Sequence, residues 1–105
     1  MAKYNPFSGK LYKGKNVQRV PTGACCTYHQ AKDHGIRIKK GEYESPFTIE
    51  YWMRLTKDAE GKPIPKAKQR LVKKIFHVYH ESQWDVRNIT PGGARILELS
   101  KKQFP

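Results

Sequence analysis

The sequence predicts an α+β domain: a small antiparallel sheet with one long hairpin, packed by one or two short helices. Three observations carry that expectation. From Pro46 to Leu55, Phe47, Ile49, Tyr51, Met53 and Leu55 fall on one face while Thr48, Glu50, Trp52 and Arg54 fall on the other. That period-2 alternation is the mark of a half-buried strand. The stretch Lys68–His80 is rich in β-forming residues and follows a loop at 57–67, so it returns antiparallel to the first strand. Thr27, with Gln30 three residues on, makes a capping box for a helix over Tyr28–His34, and Gly35 supplies its left-handed stop.

The remaining elements follow in chain order. Asn5-Pro6 and Ser8-Gly9 are turn chemistry. Asn16 is placed to cap a single helical turn ending before Pro21, because proline disfavours helix in the residue ahead of it. The helix at Tyr28–His34 is too short to stand on propensity, so packing must hold it, with Tyr28, Ala31 and the stem of Lys32 facing inward. Ile36-Arg37-Ile38 reads as a brief strand and Lys39–Glu42 as a tight turn. On the long strand, Trp52 breaks the rule by sitting on the polar face beside Arg54. It is either a platform for something flat and apolar or is covered by a terminal helix.

Residues 57–67 have no periodicity and contain Gly61, Pro63 and Pro65, the composition of a mobile hairpin loop. In the second strand Leu71, Ile75 and Tyr79 recur at spacing four and do not alternate consistently with Val72, Phe76 and Val78. Such a strand is bulged or covered on both faces. Glu81–Val86 suggests one turn capped by Ser82, Thr90-Pro91-Gly92-Gly93 breaks the chain, and Arg95–Lys102 is a short helix with Ile96, Leu97 and Leu99 as its apolar side.

The 105 residues form one domain, 1–105, large enough for a modest core. Twenty-one Lys and Arg against nine acids give a net charge of +12. Residues 1–20 carry five basic groups and 61–80 carry six, with no acid in either, whereas five carboxylates lie between Glu42 and Glu60. A polyanion relieves the self-repulsion of such a surface, so nucleic acid is the first partner considered. No apolar run spans a membrane and no signal core follows the N-terminus, which points to a cytoplasmic protein. Cys25 and Cys26 are adjacent, a spacing that strains a disulfide and lacks the two to four intervening residues of a zinc thiolate pair. Neither metal nor other cofactor is expected. Asp33, Asp58 and Asp85 are scattered, and no nucleophile, base and orienter can be assembled from spacing, so an enzyme is not expected either.

Three segments in order resemble the N-terminal domain of ArdC-type antirestriction proteins. Asn5-Pro6-Phe7-Ser8-Gly9-Lys10-Leu11-Tyr12-Lys13-Gly14-Lys15-Asn16 is similar to that family's Asn-Pro-x-Ser/Thr-Gly-x-x-Tyr-Arg-Gly-x-Asn signature. Thr27–Gly35, with Lys39-Lys40-Gly41-Glu42 after it, resembles its Thr-x-x-Gln-Ala-x-x-x-Gly helix and basic turn. Phe76–Gln83 matches the end of a family strand more loosely. Family members usually have a longer segment before the Asn-Pro turn, and many continue into a metallopeptidase-like domain with a His-Glu-x-x-His helix. Here His80-Glu81 lacks the second histidine, so no metallopeptidase domain is expected and the resemblance transfers binding rather than proteolysis. The chain reads as a stand-alone miniature or as one domain of something longer.

The resemblance implies sequence-independent binding of single-stranded DNA, in mobile-element or antirestriction biology. The residues supply a mechanism: backbone charge is neutralised while bases stack on aromatic faces. Lys10, Lys13, Lys15 and Arg19 form one basic strip, Lys39 and Lys40 a second, and Lys68, Arg70, Lys73 and Lys74 a third, with Arg54 beside Trp52. Gly14 and Gly41 lie among these charges, where a glycine lets phosphate approach backbone N–H groups or simply serves turn geometry. Tyr12, Tyr43 and Trp52 are the aromatic candidates, and Asn16 belongs to the interface if it is not purely a cap. The rival readings are a module that grips an acidic host protein and an RNA-binding domain.

Overall fold

The computed structural model describes residues 2–105. The chain opens with β1 (Lys3–Asn5) and returns antiparallel as β2 (Lys10–Leu11). Asn5 builds the turn between them: its Oδ1 accepts the N–H groups of Phe7 at 3.0 Å and Ser8 at 3.2 Å. Gly9 closes it at φ +71°, a left-handed conformation that glycine enters without a Cβ penalty. A one-turn helix, α1 (Asn16–Arg19), then leads to β3 (Gly23–Thr27). β3 runs parallel to β1, with Lys3 opposite Gly23 and Tyr4 opposite Ala24. The sheet is therefore mixed, which corrects the all-antiparallel expectation. Parallel neighbours need a crossover, and the segment through Tyr12 and α1 provides it.

α2 (Tyr28–Asp33) follows β3 directly with its capping box in place: Gln30 N–H donates to Thr27 Oγ1 at 3.2 Å, and Thr27 N–H to Gln30 Oε1 at 3.0 Å. Ala31 is buried, but Tyr28 and Lys32 stay exposed, so the expected inward face is narrower than the sequence suggests. β4 (Arg37–Ile38) leads through the Lys39–Glu42 turn to β5 (Phe47–Arg54) and β6 (Leu71–His80). These two pair antiparallel from Phe47↔Val78 to Arg54↔Leu71 without a break, and β6 also pairs with β3. The sheet order is β2-β1-β3-β6-β5. The uninterrupted register removes the bulge alternative for β6. Val78 and Tyr79 are both buried because β6 is covered on both faces, at that end only.

Beyond β6, His80 rather than Ser82 caps a 3₁₀ turn at Glu81–Gln83, its Nδ1 accepting from Ser82 N–H. β7 (Trp84–Asp85) pairs with β4 as a separate two-stranded ribbon. α3 (Pro91–Gln103) begins where the sequence suggests a break: Thr90 Oγ1 accepts Gly93 N–H at 3.0 Å and Pro91 takes the first position, where a missing N–H is harmless. Gly93 is there for space, since a Cβ would lie 2.8 Å from His34 Cβ. Leu97 and Phe104, not Leu99, reach the core.

Two apolar clusters sandwich the sheet. Tyr4, Ala24, Cys26, Tyr79 and Trp84 lie on the face that carries α2, α3 and the β4–β7 ribbon. Tyr12, Val20, Cys25, Ile49 and Val78 lie on the other. The adjacent cysteines are thus explained by strand alternation, each filling a different core. Burial, before any other cause, pushes both thiols up to about 12.

The outer half of β5 and β6 leaves this core as a two-stranded arm, and no residue from 50 to 77 is fully buried. The radius of gyration, 15.8 Å, exceeds the roughly 13 Å expected of a compact chain this long. The loop at 57–67, mobile by composition, carries its own hydrogen bonds: Asp58 Oδ1 accepts the N–H groups of Glu60 and Lys62, each at 2.9 Å, and Ile64 N–H donates to Thr56 O at 2.8 Å. Among the described residues no helix is long and apolar enough to cross a membrane.

Candidate nucleic-acid interface

Alternation places Phe47, Ile49, Tyr51 and Met53 of β5 on one face of the sheet, with Val78, Phe76, Lys74 and Val72 of β6 directly opposite. The layer formed by Tyr12 and Val20 covers this face only as far as Ile49 and Val78. Past that point Tyr51 and Met53, with the half-buried Phe76 at the boundary opposite Ile49, floor an open groove of about 500 Å³. Its far wall is the β1–β2 turn, contributing Asn5, Ser8, Lys10, Leu11 and Lys13. That wall is braced: Asn5 Nδ2 donates at 2.9 Å to Gln30 Oε1, the same oxygen that completes the α2 capping box. The Tyr51 and Phe76 rings meet edge-on with centroids 5.9 Å apart.

A second hollow of about 270 Å³ adjoins the groove, lined by Lys13, Lys15, Asn16, Arg19, Glu50, Trp52 and Lys73. Trp52 and Lys13 line both. Trp52 is 67% exposed, the most of any large apolar residue among the described residues, and no helix covers it. A bare indole beside four cations is what a stacked base and its phosphate require. The one acid in the hollow, Glu50, pairs with Arg19 at 3.3 Å and Lys73 at 3.6 Å. The Arg19 guanidinium, opposed by desolvation and helped by Lys73, holds its carboxyl below the ordinary value. Arg19 Nη1 is enclosed, and the Glu50 carboxylate 3.3 Å away is the charge it faces.

The structure therefore brings together Lys10, Lys13, Lys15, Asn16, Arg19, Trp52 and Lys73, with Gly14 between Lys13 and Lys15 in the chain. Gly14 sits at φ +61° with open space where a Cβ would stand, so backbone conformation is what demands glycine there. Arg54 lies further along the arm, opposite Leu71.

Two of the candidates are buried. Tyr12 is buried with its hydroxyl donating to Cys25 O at 2.7 Å, and burial raises its phenol above the ordinary value. It anchors the core and has no free face for a base. Asn16 is also buried and is not a cap: α1 begins without a side-chain cap, and the Asn16 amide bonds the backbone of Glu50 instead. Lys39, Lys40 and Gly41 lie elsewhere, beside the β4–β7 ribbon on the helix-bearing face, where Lys39 Nζ donates to Ser82 O at 3.0 Å. Tyr43 belongs to that side as well, its carbonyl accepting the Tyr79 hydroxyl.

The groove floor was missed. Alternation sets Tyr51 and Met53 on one face of β5 and leaves Phe76 undecided, and it does not say where the covering layer ends. The signal available was surplus: this face has more large apolar residues than the short helices of the sequence can cover.

Residues 1–82 match a family model, that of the N-terminal domain of anti-restriction factor ArdC. The matched span contains every residue lining the groove and the basic hollow. No curated protein and no solved structure matches the chain.

Proposed function

The chain belongs to the ArdC N-terminal domain family, and we propose that it binds single-stranded DNA without sequence preference, in the groove between the β1–β2 turn and the β5–β6 arm. Membership relates the chain to antirestriction. The observation that carries the finer reading is the exposed Trp52, set between an aromatic groove and a cationic hollow. Bases that are not already paired stack on Tyr51, Trp52 and Phe76, each contributing about 1–3 kcal/mol with little regard to identity. Lys10, Lys13, Lys15 and Lys73 line the two hollows where the phosphates of such a strand would run. With about four phosphates neutralised, log K falls against log salt with a slope near −3.

The test is tryptophan fluorescence on titration with oligo-dT at two salt concentrations. Trp84 is buried, its indole N–H donated to Tyr79 O, so the signal reports Trp52. Saturable quenching that weakens with salt at the stated slope is expected. A folded sample whose fluorescence ignores oligo-dT at low ionic strength would overturn the reading. Oligo-U titrated in parallel tells whether the sugar matters.

A further inference from the structure

The arm beyond the groove has a different chemistry from the groove itself. Residues 54–74 carry eight basic and two acidic side chains, net +6, which is half the charge of the whole chain. Between residues 55 and 75 there is no aromatic side chain. Asp58 is committed to the loop backbone, and Glu60 pairs with Lys62 at 3.5 Å. Lys57, Lys66, Lys68 and Arg70 are exposed, and none has an ion-pair partner among the described residues. The tip is also pre-shaped. Pro63 and Pro65 restrict it, Ile64 N–H and Gln69 Nε2 hold it to Thr56 O at 2.8 Å and Ile64 O at 3.0 Å, and Lys68 N–H closes on Pro65 O.

A surface that offers fixed cations and no stacking face suits a polyphosphate whose bases are already paired. From this we infer that the tip of the β5–β6 arm contacts duplex DNA, so that the domain sits at a junction between single and double strands. The inference rests on the single-strand reading of the groove. The dimensions agree: from Tyr51 at the groove to Lys57 at the tip is six residues, three of them beyond the end of β5 at Arg54, and at most about 20 Å of extended chain, or about six base pairs of duplex. A two-stranded ribbon is also narrow enough to enter a major groove about 12 Å wide. The aromatic end of the arm would take the first unpaired bases while the cationic end lies on the flanking duplex. Four tip cations on duplex phosphates would add about −3.6 to the salt slope.

The experiment compares three labelled probes by fluorescence anisotropy with the full chain: a twelve-residue oligo-dT, a blunt duplex, and the duplex carrying the oligo-dT as a tail. The tailed duplex is expected to bind about tenfold more tightly than the tail alone, with a salt slope steeper by about 3.6. The combined variant Lys57→Gln, Lys66→Gln, Lys68→Gln and Arg70→Gln is expected to erase both differences and leave the tail alone within about twofold of the parent. Equal binding of tail and tailed duplex by the parent overturns the inference. So does a variant that weakens the tail alone as much as the tailed duplex, since the tip is then only more of the single-strand track. Failure of the groove reading looks different: the tail alone does not bind. In that case, low-salt binding to blunt duplex that the variant abolishes still supports the tip contact, and binding that the variant leaves intact refutes it.

Discussion

The amide of Asn16 is bonded to both backbone groups of Glu50: Nδ2 donates to its carbonyl at 2.9 Å, and Oδ1 accepts its N–H at 2.9 Å. One side chain thus takes the place of a neighbouring strand on the free edge of β5. It fixes the α1 segment, with Lys13 and Lys15, against the arm that carries Trp52. Further along the same edge, Ile64 N–H on Thr56 O does a similar job from the loop. An otherwise sticky edge is blunted at two points.

Asn16→Ala removes both bonds and leaves partly buried backbone groups without partners. Stability should fall by about 1–3 kcal/mol, read as a lower urea midpoint with little change in slope. An unchanged midpoint would mean that water replaces the amide at no cost.

Trp52→Ala and Tyr12→Phe should separate binding from folding. The first should cost about 1–3 kcal/mol of oligo-dT affinity with the thermal midpoint nearly unmoved. The second should cost about 1 kcal/mol of stability through the lost bond to Cys25 O, with oligo-dT affinity intact in the folded fraction. If Tyr12→Phe selectively weakened binding, the assignment of Tyr12 to the core would fail.

Glu50 ties up two cations of the basic hollow. Glu50→Gln should release Arg19 and Lys73 toward phosphate, tighten oligo-dT binding roughly two- to fivefold and, with Lys73 already among the four phosphate contacts, steepen the salt slope by up to about 0.7. Weaker binding in that variant would show that the carboxylate positions the cations rather than competing for them.

Acid should act through Asp85, whose carboxyl Arg87 holds at about 2, first by a side-chain hydrogen bond and then through its backbone N–H. A depressed carboxyl contributes stability in full above its ordinary value of 3.8 and loses it as pH falls from there toward about 2. Asp85→Asn should therefore flatten the acid limb of a stability–pH profile in that window and leave the profile between pH 6 and 8 parallel to the parent's. An acid limb identical in the two proteins would show that Asp85 does not contribute to it.

Local chemistry was legible in the sequence wherever the determinants are local. The Thr27–Gln30 box, the glycine stop at residue 35 and the alternation of β5 each specify their element within a few residues. β1 and β3 were opaque for the opposite reason. Lys3–Asn5 and Gly23–Thr27 have no alternating pattern long enough to register, and their parallel pairing depends on a distant crossover. The start of α3 was hidden because Gly92-Gly93 signals a break, although one of those glycines is demanded by the close approach to His34. For the site, composition pointed to the cations and Trp52, but coverage decides the rest. Nothing in the spacing of Tyr51 or Phe76 distinguishes a residue under a helix from one at the bottom of an open groove.

The back-to-back thiols of β3 have a practical consequence. Because Cys25 and Cys26 point into separate interiors, neither is reachable by an alkylating reagent while the domain is closed, and exposing either requires strand β3 to come away. Mass added by iodoacetamide therefore counts opening events of the molecule. Slower alkylation in the presence of a bound oligonucleotide would give an affinity measurement that needs no label on either partner.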